Sequence, residues 1–262
     1  QRVWRRRRIL GRWLEWELVT MAKMTLDDLV RQLSAAHGDA LEAVVLYGSA
    51  ARHEGAPSGA LDVLVVVRAL SDGALRAAGA ATRSWMEAGN PAPLTLTSSE
   101  WRSSADIFAI EYADILAAHR VLHGTLSTDG IVVARRDLRL QLERETMGKL
   151  LQLRREMQAR HGDAKAQRAL LEGVRAGIFA LFRAALRLSE SVTAPHADSE
   201  VVAREVAAAA ELDAAPFLAL VAAKRGTRKI SDGEAPVVLR GCHDGLEKLA
   251  QWLDRQAVDG GQ

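Results

Sequence analysis

The chain has 262 residues, 48% hydrophobic and 26% charged, a composition that supports one large or two small packed cores and excludes a largely disordered chain. Its 35 Lys and Arg against 33 Asp and Glu leave a formal net charge of +2, too balanced to argue for nucleic-acid binding by the chain as a whole. No apolar run reaches the ~18–20 residues of a membrane span, and the lone Cys242 has no internal partner, so a reducing cytoplasm is the expected setting.

Residues 1–24 read as an extension. Arg2, Arg5, Arg6, Arg7, Arg8 and Arg12 crowd it, interleaved with Trp4, Trp13 and Trp16. A basic-aromatic arm for RNA or anionic lipid is one reading, and a disordered or non-native extension is the other. Met21 and Met24 are candidate starts, and Thr25 is placed to cap a helix running to about Ala36.

Ala43 to Tyr47 and Leu61 to Val67 are short apolar runs of the kind buried strands make, joined through Gly48-Ser49 and a polar loop. Ala74 to Ala88 has helical spacing, Gly89-Asn90-Pro91 breaks it, and Pro93 to Thr97 alternates as a third strand. From Ser99 onward the pattern is helical: Ala105 to Leu122 ending at Gly124, Asp137 to Arg160, Ala164 to Leu188, Glu200 to Glu211, Ala214 to Lys224, and Gly245 to Gln256. Leu138, Leu142, Leu150 and Leu153 line one side of the second of these, as in a bundle helix. The expected fold is α+β: a small mixed-sheet domain over residues 25–124, then an all-α bundle over 125–262.

The chemistry concentrates in the stretch VVLYGSAARHEGAPSGALDVLVVV, residues 44–67. A Gly-Ser turn after a strand exposes backbone N–H groups with no β-carbon in the way, so a phosphate can lie against it. Residues two apart on the next strand point the same way and can hold a metal ion beside that phosphate. This arrangement resembles the nucleotidyltransferase superfamily, the polymerase-β-like fold in its bacterial minimal type, whose signature is strand, Gly-Ser, about ten residues, then Asp-x-Asp. Gly48 and Ser49 match the turn, with Ala50-Ala51-Arg52 following. Asp62 falls on the second aspartate, whereas Ala60 stands at the first. The segments Asp106-x-Phe108-x-x-Glu111-x-x-Asp114 and Val121-Leu122-His123-Gly124 look like the region after the catalytic core in relatives with a helical C-terminal half.

The resemblance implies a site in which three carboxylates hold two Mg²⁺ ions that activate an acceptor hydroxyl and stabilise departing pyrophosphate. In these terms Gly48, Ser49 and Arg52 would bind ATP or another nucleoside triphosphate, and Asp62 would be the residual catalytic and metal-binding acid. The third acid belongs on the strand Leu94 to Thr97, where Thr95 and Thr97 offer only hydroxyls. Two of three ligands are therefore missing, with Glu54, Glu100, Glu111 and Asp114 as the acids that could substitute. The plain alternative for Asp62 is a strand-end carboxylate paired with Arg52.

Three functional readings follow: a degenerate nucleotidyltransferase-fold protein that still binds a nucleotide or a partner, an active Mg²⁺-dependent enzyme moving AMP to a small-molecule or protein hydroxyl, and a non-catalytic toxin–antitoxin-type interaction module. Weaker signals are His119 and His123 at i, i+4 on the expected helix, which has zinc-ligand spacing but suits helix capping better. Arg155 and His161 are spaced like the Arg-x(4–6)-His of HEPN ribonucleases, but that motif is short and degenerate and an ordinary polar helix end suits them better.

Overall fold

A computed structural model describes residues 24–52, 61–189 and 198–256. The extension with its three tryptophans, Glu54 and Ala60 lie outside the described residues. The fold is α+β, a small mixed sheet followed by a helical bundle.

The first helix, α1 (Leu26–His37), starts where Thr25 and Asp28 form a reciprocal capping box. Strand β1 (Leu41–Tyr47) pairs antiparallel with β2 (Asp62–Val67) from Leu41↔Val67 to Tyr47↔Asp62. Helix α2 (Asp72–Glu87) then carries the chain to β3 (Leu94–Thr97), parallel to β2. Period-2 alternation sends Val44, Leu46, Val63, Val65 and Val67 against α1 and α2, where Leu29, Leu33 and Trp85 complete the layer. Ala43, Val45, Leu64 and Val66 face the other way, onto Leu96, Trp101, Tyr112 and Ile115. A sheet buried on both faces explains why both central strands read as continuous apolar runs.

The short α3 (Ser98–Ser103) follows β3 directly, capped by a box between Thr97 and Glu100. Helix α4 (Ala109–Ala117) joins the two halves: Tyr112 and Ile115 pack beneath the sheet, while Ala109 and Ile110 enter the bundle core. The expected helix from Ala105 to Leu122 is thus corrected, because His119–Gly124 forms strand β4, antiparallel to β1, in the sheet order β3-β2-β1-β4. The open edge of β1 offers these residues backbone partners that a helix would not need.

The bundle comprises α5 (Arg135–Ala159), α6 (Ala164–Leu188), α7 (Ser199–Ala210), α8 (Ala215–Arg225) and α9 (Ala235–Arg255). Leu142, Leu153, Ile178, Phe182, Phe217, Leu246 and Leu253 are among its fully enclosed side chains. Helix α9 begins ten residues before the expected Gly245. Gly245 is there for contact: a β-carbon on it would lie 2.5 Å from Phe217 Cζ of α8. No helix among the described residues is long and apolar enough to cross a membrane.

Candidate functional site

Strand β1 ends at Tyr47, and Gly48 opens a tight 3₁₀ turn with φ +73°, a left-handed conformation that favours glycine. A second constraint acts at the same residue, since a β-carbon on Gly48 would stand 2.8 Å from Asp62 Oδ2. The turn and the first residue of β2 are therefore in direct apposition, as a phosphate cradle beside an acid requires. The pairing Tyr47↔Asp62 at the end of the β1–β2 ladder is what brings them together.

The Asp62 carboxyl is pushed up from its ordinary 3.8 to about 6, first because it is largely buried and second because Asp114 is a like charge nearby. The same acids, with Glu111, add to burial in raising the Tyr47 phenol. The alternative of an Arg52–Asp62 pair is not what forms. Arg52 Nη2 instead donates to Asp114 Oδ1 at 2.8 Å, and Arg187 Nη2 of α6 donates to the same oxygen at 2.5 Å. Arg183, 7% exposed and one helical turn from Arg187, donates to Phe179 O and Ser199 Oγ, both at 3.2 Å. Its charge is felt by Arg52, Asp114 and Arg187.

Two guanidiniums thus hold one carboxylate, and a third lies within reach of its charge. Arg52 Nη1, Arg187 Nη1 and Arg183 Nε are buried with no hydrogen-bond partner among the described residues. Burial weakens the hold of both Arg183 and Arg187 on their protons. A cluster of this kind, cationic and short of acceptors, is chemically suited to an anion.

The remaining acids have other employment. Glu100 accepts from Thr97 N at 2.7 Å and from Thr97 Oγ1 at 2.9 Å, on the exposed surface. This removes both Glu100 and the Thr97 hydroxyl from any metal-facing role and corrects the expected alignment of Thr97 with the site. Glu111 accepts from Gln141 Nε2 at 3.0 Å, and Gln141 in turn accepts from Ile110 N at 2.8 Å. Among the described residues, the group of three potential metal ligands lies on α9, not at Asp62: His243, Asp244 and Glu247. There the Arg154 guanidinium already bonds His243 Nε2 at 3.1 Å and pairs with Glu247, so a cation occupies that place.

His119 and His123 stand on β4, and the helical zinc spacing they suggested does not arise. His119 Nδ1 lies 2.8 Å from Ile115 O, at the end of α4. Arg155 and His161 are both exposed around the end of α5. Sequence reasoning named Arg52 and weighed Asp114, but missed Arg183 and Arg187. Their signal is present in Ile178-Phe179-Ala180-Leu181-Phe182-Arg183-Ala184-Ala185-Leu186-Arg187, where arginines four apart interrupt an otherwise apolar helix.

No protein-family profile matches the chain, and no curated protein matches it in sequence. Among solved structures, it is similar to spectinomycin adenyltransferase AAD(9) from Enterococcus faecialis, determined with ATP and spectinomycin. The TM-score is 0.54 at 11% identity, over 84% of this chain and 98% of that one. The fold is nucleotidyltransferase-like.

Proposed function

We propose that this protein binds a nucleotide at the junction of Gly48, Asp62 and the Arg52–Arg183–Arg187 cluster, and that it has lost nucleotidyl transfer. The observation that carries this reading is the isolation of Asp62 from other free acids among the described residues. It is half-buried against the turn at Gly48, and Asp114, the acid whose charge reaches it, is bound by two arginines.

Two-metal transfer needs carboxylates that fix both ions. Asp62 is one, Ala60 is none, and Glu100 is held in a helix cap. Among the described residues, the acids do not fit a pair of Mg²⁺ ions. Anion binding has better support. The buried N–H groups that three arginines leave unpartnered among the described residues, and the backbone of the Gly48 turn, are donors of the type that phosphates accept from. The protein of similar fold was solved with ATP and spectinomycin, which makes ATP the first nucleotide to try.

The test is calorimetry of ATP against the full chain with and without magnesium, together with a pyrophosphate-release assay. ATP should bind with an affinity that magnesium changes by less than about 3-fold, and pyrophosphate should stay at background. The Ala60→Asp variant, with carboxylates at i and i+2, should acquire magnesium dependence. Magnesium-dependent pyrophosphate release by the unmodified protein would overturn the reading and identify an active transferase with rearranged ligands.

A further inference from the structure

Within the bundle, α6, α8 and the segment from Gly226 to Glu234 enclose a cavity of about 550 Å³. That size falls in the range of small-molecule sites. Its floor is apolar: Leu171 and Leu220 are 1% and 2% exposed, and Ile230 is 9% exposed. Its rim is cationic, with Arg168, Arg175, Arg228 and Lys229 against Glu172 and Asp232.

These charges are not equivalent. Arg168 is engaged by Asp232 at 2.7 Å and Glu172 at 3.7 Å, and Arg228 by Glu234 at 2.5 Å. Arg175 and Lys229 have no ion pair among the described residues. Arg175 is also partly buried, and the loss of water around it weakens its hold on its proton. The wall is built in advance. Thr227 Oγ1 donates to Ala222 O at 3.1 Å, and Ser231 N and Oγ donate to Glu234 at 3.0 and 2.8 Å, fastening the segment to α8 and α9.

The cavity lies about two helical turns from the arginine cluster of the Asp62 site: along α6, Arg175 precedes Arg183 by 8 residues, about 12 Å at the helical rise. No aromatic side chain lines it, so a nucleobase would find no stacking partner there.

We propose that this cavity is a second binding site that takes a small amphiphilic anion, a carboxylate or phosphate monoester on an aliphatic body. The body lies on Leu171, Leu220 and Ile230, and the head group meets Arg175 and Lys229. This proposal is independent of nucleotide binding.

The full chain is titrated calorimetrically with decanoate, with decyl phosphate, and with neutral decanol as the control. At least one anion should bind at least about 10-fold more tightly than decanol, and which one does so distinguishes the carboxylate from the phosphate source. Arg175→Met, which keeps the aliphatic stem and removes the charge, should weaken that anion at least about 10-fold. Should Arg175→Met fail to fold by circular dichroism, Lys229→Gln on the exposed rim carries the test, with at least about 3-fold weakening expected. Failure of both anions to bind, equal binding of decanol, or unchanged affinity in a folded Arg175→Met would each overturn the proposal. So would displacement of the bound anion by ATP, which would assign the cavity to the nucleotide.

Discussion

Replacing Asp62 by Asn removes a charge without changing the shape of the side chain, and the structure fixes the sign of the result. The Asp62 carboxyl sits at about 6 in the folded protein against an ordinary 3.8. Between these values the folded chain retains a proton that the unfolded chain has released. Stability therefore falls as pH rises from about 4 to about 6 and is level above that. The gap corresponds to about 3 kcal/mol at neutral pH, an upper figure because the residue is not wholly enclosed. Asp62→Asn should escape this cost. At pH 8 it should melt up to about 6–12 °C above the unmodified protein, using about 2–4 °C per kcal/mol for a chain of this size. Thermal melts of the two proteins from pH 4 to pH 8 make the comparison, and the two curves should converge as pH falls towards 4. A variant no more stable at pH 8 would refute the reasoning and show that a cation compensates Asp62, and a difference that persists at pH 4 would refute it by showing that the effect is not one of charge. A carboxylate kept at a stability cost is what a binding site, rather than a packing constraint, would retain.

Gly48→Ala should cost about 2–3 kcal/mol in urea unfolding, from the left-handed backbone and from the approach of its β-carbon to Asp62. In an Asp62→Ala background only the backbone component, about 1–2 kcal/mol, should remain, so the double-mutant cycle measures the apposition directly. Asp114→Ala leaves the Arg52 and Arg187 guanidiniums buried without their acceptor and should cost about 3–5 kcal/mol by chemical denaturation. The exposed Arg31–Asp28 pair, cut by Arg31→Gln, gives the contrast, with a far smaller shift in the same denaturation midpoint.

Much of the sheet half and the borders of α5, α6, α7 and α8 were legible because local patterns set them. The apolar runs of β1 and β2 state that both faces are covered, and Ala164 to Leu188 appears in the structure with the limits its pattern predicts, behind the Asp163 cap. The apposition of Gly48 and Asp62 was likewise foreseeable, since two strands joined by a loop bring the end of one beside the start of the next. The Thr97–Glu100 cap was equally readable in Thr97-Ser98-Ser99-Glu100, although strand alternation alone assigned Thr97 to the site. Other features are decided by partners distant along the chain, where no local preference reports them. His119–Gly124 is a strand because β1 presents an open edge some 75 residues earlier. Gly245 sits within α9 because Phe217 of α8 needs the room. Asp114 belongs to Arg52 and Arg187, 62 and 73 residues away, because helix α4 spans the sheet and the bundle at once. Composition and periodicity govern which elements form and which faces they bury. Which charges meet is left to packing, because an ion pair depends on distances that exist only after the chain has folded.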